Sequence, residues 1–444
     1  RMFRRPFTRP VLFAVALVVI GLCVYQGHRL AGQAIKQKFT SYGQSVGLVS
    51  KFLAPGPGPA TPSADGVGYA VTPLPPGTSV TPVWFNPVYA KRRQRSEDIC
   101  VKVKQGGVAR LTRYGNVSYC VVPKVGCTFW LNVFRYLHND TGKQHYPSPF
   151  DIPRMTTHYG GRKSMKYFIV NSSFTPEHLV SDLRFMFVRD PYSRLWSAYV
   201  DKFLLVDYWR TEGQNIVKQR KVKDNRTHCA GDISFIEFLD YVVSNQPTRL
   251  NEHWKPIQYL CSPCMYRPHV IGKMETFSQD VRYVLKRLNM SWIMDNYDHE
   301  AHVHGEMDML IDYNYQVLNS KFYSNCSNTT DLAKRLWRTF QINGYLPSEM
   351  AFPQPNAAKM NASQFKALAH EAYRNRPTKS PKEWKHQREQ AMVDAYKGIS
   401  RTTLEKLKKL YKYDFEIFDY DPAPSRLFGD LVKAESVPNI TKRS

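Results

Sequence analysis

Residues 117–130, VSYCVVPKVGCTFW, pass from an apolar β-branched run through a Pro-Lys-Val-Gly turn into an aromatic segment. The run VSYCVV, 117–122, is too short for a buried helix and reads as a buried strand. The residues after it predict a helix ending near Leu137. A strand that delivers Gly126 and Thr128 to a helix N-terminus makes an anion cradle. Backbone N–H groups and the helix dipole both favour negative charge there, and Lys124 adds a full positive one. The octapeptide 123–130 is not a Walker A loop, because GxxxxGK[ST] is absent and Lys124 precedes the glycine.

A second stretch repeats the design. In RFMFVRDPYSRLWSAYVDKF, 184–203, the run RFMFV reads as another buried strand and Arg189 leaves its end. Pro191 opens a helix where proline is tolerated, and Ser197 follows Arg189 by eight residues, about two helical turns. Arginine offers a planar fork to a phosphate and serine a hydroxyl donor. Two anion sites at adjacent strand ends suit a ligand with phosphates in two places, such as a nucleoside bisphosphate. The alternation of apolar strands and amphipathic helices from residue 100 onward predicts an α/β fold. Its sheet is expected to be mainly parallel and flanked by helices, with the ligand at the carboxyl ends of the strands.

The 444 residues are 43% hydrophobic and 13% aromatic, which excludes wholesale disorder, and the formal charge is +25. Residues 1–100 hold 12 basic and 3 acidic side chains, so an excess of 16 positive charges remains on the rest. Anionic partners are implied. Arg1, Arg4, Arg5 and Arg9 precede an uncharged run at 11–25, VLFAVALVVIGLCVY. That layout predicts a basic cytosolic tail at 1–10 and a single signal-anchor at 11–28, with the remainder extracytosolic. A cleaved signal peptide is the alternative. Nine Asn-x-Ser/Thr sequons, at Asn116, Asn139, Asn171, Asn225, Asn289, Asn325, Asn328, Asn361 and Asn439, argue for a glycosylated luminal protein and against nucleic-acid binding.

Residues 54–87 contain nine Pro and five Gly, the composition of an extended spacer, so 29–98 reads as a luminal stem. The cluster KRRQR at 91–95 opens a charged helix or serves as a cleavage site. A catalytic domain is expected at 99–421, with an insertion near 344–390, an amphipathic helix at 402–413 and a patternless tail at 422–444. Outside the membrane run stand seven cysteines, an odd number, so at least one is free or bonded between chains. Cys261 and Cys264 read as structural disulfides or buried thiols rather than half a zinc site. His299, His302 and His304 read as a polar loop, and no metal is expected.

PKVGCTFW resembles the 5′-phosphosulfate loop, and RDPYSRLWSAYVDKF the 3′-phosphate motif, of Golgi carbohydrate sulfotransferases that use 3′-phosphoadenylyl sulfate. EHWKPIQYLCSPC (252–264), GKMETFSQD (272–280) and LYKYDFEIFDYD (410–421) narrow the resemblance to the branch containing the chondroitin, dermatan and N-acetylgalactosamine 4-O-sulfotransferases. The resemblance implies that Lys124 neutralises the bridging oxygen between sulfate and 5′-phosphate. Pro123, Val125, Gly126, Cys127, Thr128 and Phe129 complete the loop around it. Arg189 and Ser197 would hold the 3′-phosphate within a motif that includes Asp190, Pro191 and Arg194. His158 and His253, both in polar turns, are the candidate general bases. Phe129 stands where relatives carry a polar residue, and Asp419 where glycine is common.

The expected acceptor is the 4-hydroxyl of N-acetylgalactosamine in chondroitin or dermatan, an anionic glycosaminoglycan matched by Arg162, Lys163, Lys166, Arg210, Lys218, Arg220, Lys221 and Lys223. The alternatives are a glycoprotein glycan ending in N-acetylgalactosamine or glucuronate, and a catalytically silent glycosaminoglycan-binding protein. The expected location is the Golgi membrane, as a single-pass type II protein with its catalytic domain in the lumen.

Overall fold

The computed structural model describes residues 86–433, apart from 104–107, 142–143, 160–166, 172–181, 221–228, 296, 321, 324–325 and 354–359. The apolar run at 11–25 and most of the stem lie outside the described residues. So do Arg162, Lys163, Lys166, Lys221, Lys223, Asn225, Asn325 and Asn439, and the side chain of Asn171. Among the described residues no helix is long and apolar enough to cross a membrane.

Five strands, β1 (Val108–Tyr114), β2 (Val117–Cys120), β3 (Tyr167–Asn171), β4 (Leu183–Val188) and β5 (Val270–Lys273), form one sheet in the order β3-β1-β2-β4-β5. Strands β2, β4 and β5 pair in parallel, while β1 runs antiparallel to both β2 and β3. Four of the five described strands therefore point the same way, and the expected α/β architecture is present. All of β2 and residues 185–188 of β4 are buried, as central parallel strands covered on both faces must be. Tyr119, Trp130, Phe134, Phe185 and Phe187 pack together in that core.

The helices are α1 (Pro87–Cys100), α2 (Cys127–Leu137), α3 (Arg154–Tyr159), α4 (Pro191–Tyr199), α5 (Glu212–Lys218), α6 (Phe235–Ser244), α7 (Gln258–Cys261) and α8 (Pro263–Tyr266). They continue with α9 (Phe277–Arg287), α10 (His299–Leu318), α11 (Thr329–Ile342), α12 (Ala362–Arg374), α13 (Pro381–Tyr396), α14 (Arg401–Leu410), α15 (Lys412–Phe418) and α16 (Ser425–Lys433). A second core draws no residue from the sheet. There Phe203, Trp209, Phe238 and Trp254 join residues of α10, α11, α12 and α14.

Helix α1 shows why KRRQR is structural. Asn86 caps it by accepting from Val88 N at 2.9 Å, and Tyr89 is buried with its hydroxyl on Asp280 at 2.8 Å. Arg92 pairs with the same buried carboxylate at 2.7 Å, and Arg95 reaches Asp419 at 3.1 Å. A protease needs extended, accessible backbone, and this cluster is helical and docked. Residues 87–98, read as the end of the stem, are thus part of the folded unit. Cys100–Cys264, Cys120–Cys261 and Cys229–Cys326 are disulfides, leaving Cys127 as the free thiol among the described cysteines.

Four local expectations are corrected. The segment containing His299, His302 and His304 is the start of α10, because Asp298 accepts from Glu300 N and Ala301 N and caps it. The helix expected at 402–413 breaks at Tyr411 into α14 and α15. The tail is not patternless, since α16 buries Phe428 against Tyr192 and Tyr396. His158 lies on α3 rather than in a turn. The five sequon asparagines whose side chains are described, Asn116, Asn139, Asn289, Asn328 and Asn361, are all exposed.

Candidate active site

Strand register sets the site. Cys120 of β2 lies opposite Met186 of β4, so the chain reaches Pro123 and Arg189 at the same height beyond the sheet edge. Arg189 Nη1 donates to the Lys124 carbonyl at 3.4 Å, which ties the two strand-end turns together. Lys124 itself has φ of 70°, a left-handed conformation that a non-glycine residue adopts at some cost. Gly126 follows with φ of 78° and is the N-cap of α2, where no side chain caps the first amides. A Cβ at Gly126 would stand 2.4 Å from Phe277 Cε2, so this turn requires glycine. The uncapped helix start, the left-handed turn and Lys124 fit a bound anion.

The second turn is built differently. Asp190 caps α4 by accepting from Ser193 N at 2.8 Å, so one amide at this helix start is already satisfied. Anion binding there falls to the side chains of Arg189 and half-buried Ser197. Burial lowers the Arg189 pKa, partly offset by Glu275 and Asp190. Burial raises that of Asp190. Glu275, from the turn after β5, accepts from Asp190 N at 3.1 Å and from Tyr420 at 2.9 Å.

Arg194 is 2% exposed and spends its guanidinium on three carbonyls: Pro123 at 3.0 Å, Lys255 at 2.6 Å and Glu252 at 2.7 Å. It fixes the lysine loop to the 252–255 turn, with its guanidinium committed to these backbone partners. Phe129 packs against Trp130, Phe150 and Phe277, an aromatic cluster in place of a polar contact.

Beside Lys124 opens a cavity of about 270 Å³, reached by Cys127, Arg154, His158, Asp201, Lys202 and His253. The two candidate bases, distant in sequence, thus share one cavity. His158 Nε2 lies 3.2 Å from Thr128 Oγ1, against the phosphosulfate-like loop. Burial, reinforced by Arg154 and Lys202, pushes its pKa down to about 4. His253 Nδ1 donates to Asn251 Oδ1 at 2.8 Å, and its Nε2 has no hydrogen-bond partner among the described residues. Burial, then Lys202 and Lys124, holds its pKa well below the usual imidazole range. Both rings are neutral near pH 7 and able to accept a proton.

The sequence reading missed Asp201, Arg154 and Lys202. Asp201 lies 2.8 Å from Lys124 Nζ, 3.4 Å from Lys202 Nζ and 3.5 Å from Arg154 Nη2. Its only sequence signal is its place in YVDKF, at the end of the second motif. Of the surface cations expected to meet an acceptor, Arg210 and Lys218 are exposed, whereas Arg220 is tied to Asp232 and Glu237. A larger groove of about 680 Å³ between α11 and α13 shares none of these residues. Among the described residues no group of three or more His, Cys, Asp or Glu is arranged to hold a metal.

Known proteins give the same reading. The sulfotransferase family profile matches residues 110–342, just over half the chain, from β1 to the end of α11. The chain is 35% identical over 178 residues to carbohydrate sulfotransferase 14 of Danio rerio, covering 38% of this chain and 45% of that protein. It is 34% identical over 184 residues to carbohydrate sulfotransferase 11 of Rattus norvegicus, covering 39% and 50%. It is 31% identical over 180 residues to human carbohydrate sulfotransferase 9, covering 39% of each. The chain thus spans about half the length of these relatives or less. No solved structure matches it. The chain belongs to the sulfotransferase family, whose profile spans both the Lys124 loop and the Arg189 strand end, and the relatives named above are carbohydrate sulfotransferases.

Proposed function

We propose that the protein moves a sulfuryl group from 3′-phosphoadenylyl sulfate to a sugar hydroxyl, most specifically the 4-hydroxyl of N-acetylgalactosamine in chondroitin or dermatan. The observation that carries this reading is the meeting of two anion-adapted strand ends, joined by the Arg189 to Lys124 hydrogen bond, beside a cavity holding neutral His158 and His253. Sulfuryl transfer needs in-line geometry and a positive field at the leaving oxygen more than covalent help. In this reading the 5′-phosphosulfate lies over the first amides of α2, with Lys124 at the bridging oxygen. Arg189 and Ser197 take the 3′-phosphate, which selects this donor over other adenine nucleotides.

The acceptor oxygen forms its bond to sulfur as the bond from sulfur to the phosphate oxygen breaks, leaving adenosine 3′,5′-bisphosphate. His158 takes the hydroxyl proton. It is chosen over His253 because it touches Thr128 of the loop that would hold the donor. His253, oriented by Asn251, contacts the acceptor.

The same proposal places the enzyme in the Golgi membrane, anchored through residues 11–28 with its catalytic domain in the lumen. Three disulfides and the exposed sequons support an oxidising, glycosylating compartment.

The test is transfer of radiolabelled sulfate from the donor to desulfated chondroitin, dermatan and a glycoprotein glycan offered in parallel, with disaccharide analysis. Label on the 4-hydroxyl of N-acetylgalactosamine, lost in Lys124→Ala, is the expected result. Label elsewhere overturns the acceptor, and wild-type transfer by Lys124→Ala overturns the site.

A further inference from the structure

Helix α4 does not simply end. After Tyr199 the chain makes a π-helical turn, Val200–Leu204, before leaving in extended conformation at Leu205. Such turns insert a residue into the helical register and are frequent at functional sites. This one carries Asp201 and Lys202 into the edge of the cavity. The Asp201 carboxylate is largely buried, with 14% of its side chain exposed, and a single oxygen, Oδ2, meets three cations from three elements. Lys124 comes from the loop after β2, Arg154 from α3 and Lys202 from the turn itself. A lone buried carboxylate is costly, and so is a lone buried ammonium, so each depends on the other.

We propose that Asp201 is a positioning residue for Lys124, a built-in counter-ion that aims the ammonium along the cavity edge and keeps it charged until the donor's phosphosulfate takes its place. The assignment rests on the sulfotransferase reading for its purpose, not for its geometry.

The charges around Lys124 explain why the contact is required. Arg154, Lys202 and Arg189 are all cations, and His253 and His158 are neutral, so Asp201 supplies the neighbouring negative charge. Burial lowers the Lys124 pKa, Arg154 and Lys202 lower it further, and Asp201 is what raises it back. In the other direction, burial alone would raise the Asp201 pKa. Lys124, Lys202 and Arg154 together hold it well below the usual carboxylate range. Lys202 does not depend on Asp201 alone, because Asp207 is its second partner. The arrangement therefore leaves Lys124 as the cation most exposed to loss of this one carboxylate.

The consequence for the donor is an exchange of anions. The incoming phosphosulfate brings more negative charge than Asp201 and displaces it from Lys124. The carboxylate keeps Arg154 and Lys202, both facing the acceptor cavity. Donor and acceptor sides are thus coupled through one side chain.

The experiment reads Lys124 directly in the full chain. Trace acylation of its amine by acetic anhydride is followed against pH by peptide mass spectrometry in wild type, Asp201→Asn and Asp201→Glu. In Asp201→Asn the labelling midpoint moves to lower pH, and Asp201→Glu restores it. In parallel, Asp201→Asn binds adenosine 3′,5′-bisphosphate roughly tenfold more weakly at pH 9 than at pH 7, a larger loss than wild type shows. An unmoved midpoint in folded Asp201→Asn overturns the proposal. Should that variant not fold, Arg154→Gln removes a cation from the same carboxylate and must move the midpoint upward; no movement there overturns it too. A shifted midpoint in a protein that transfers sulfate to no acceptor would sink the functional reading and leave Asp201's hold on Lys124 standing.

Discussion

In the proposed mechanism His158 acts as a neutral base, and burial and two cations, Arg154 and Lys202, oppose its protonation and push its pKa down to about 4. The sign follows. A base that must be unprotonated loses activity only as pH falls through its folded pKa, so the acid limb of kcat/KM is expected near pH 4, with a flat profile through neutrality. Stability changes earlier, because the unfolded chain binds the proton first. It declines as pH drops below the ordinary imidazole value and stops declining below about 4. His158→Ala should lower kcat about 100-fold and abolish that limb, measured by initial rates across pH 3.5–8 in constant ionic strength. An acid limb near pH 6.5 in the wild type would show that a different, solvated group takes the proton.

At the scale of elements, one side chain joins three of them. Arg194 on α4 holds the carbonyl of Pro123 after β2 and those of Glu252 and Lys255 ahead of α7. The same turn is held again by Asp414 of α15, which accepts from Ile257 N at 2.7 Å and Gln258 N at 3.1 Å, and by the Cys120–Cys261 disulfide. Arg194→Met preserves the buried stem but leaves three carbonyls without donors. It should cost about 3–5 kcal/mol in urea unfolding and raise the Kd for adenosine 3′,5′-bisphosphate, because the Lys124 loop loses its support. A stable variant with weakened binding would instead assign Arg194 to the ligand. This element also marks what was legible beforehand. Strands β2 and β4, helix α2 and the turns between them were readable, since a local apolar run, one glycine and one proline determine each. The Asp201 network was not, because it needs a π-helical turn and a helix contributed 47 residues earlier, at Arg154. The start of α10 was misread for a plainer reason: Asp298, Glu300 and Glu306 around the histidines read as the polarity of a loop, whereas Asp298 is the N-cap and Glu300 an acidic residue of the first helical turn. His304 and His370 in fact meet through their Nδ1 atoms at 2.6 Å, joining α10 to α12.

For the whole molecule, the charge of +25 and the balance inside the cavity pull in different directions. Each cavity cation has an anion: Arg110 meets Glu252 at 3.5 Å, Arg154 meets Asp201 at 3.5 Å, and Lys202 lies between Asp201 and Asp207. With both histidines neutral, the pocket beside Lys124 has little net charge to offer a uronate or a sulfate, which is consistent with the uncharged N-acetylgalactosamine of the proposed acceptor. If the acceptor is the anionic polysaccharide proposed above, the basic excess acts outside the cavity, where exposed cations such as Arg210 and Lys218 would set up a field that draws it in. Exposed charges are screened within about 8–10 Å at physiological salt, whereas short-range contacts in a cavity are not. The KM for a polysaccharide acceptor should then rise roughly tenfold between about 0.05 and 0.2 M NaCl, while that for a short neutral glycoside changes less than about twofold. Initial rates at saturating donor provide the comparison. Equal salt slopes for the two acceptors would mean that the sugar is gripped by the cavity's own cations, and that their pairing with Asp201, Asp207 and Glu252 is broken when the acceptor binds.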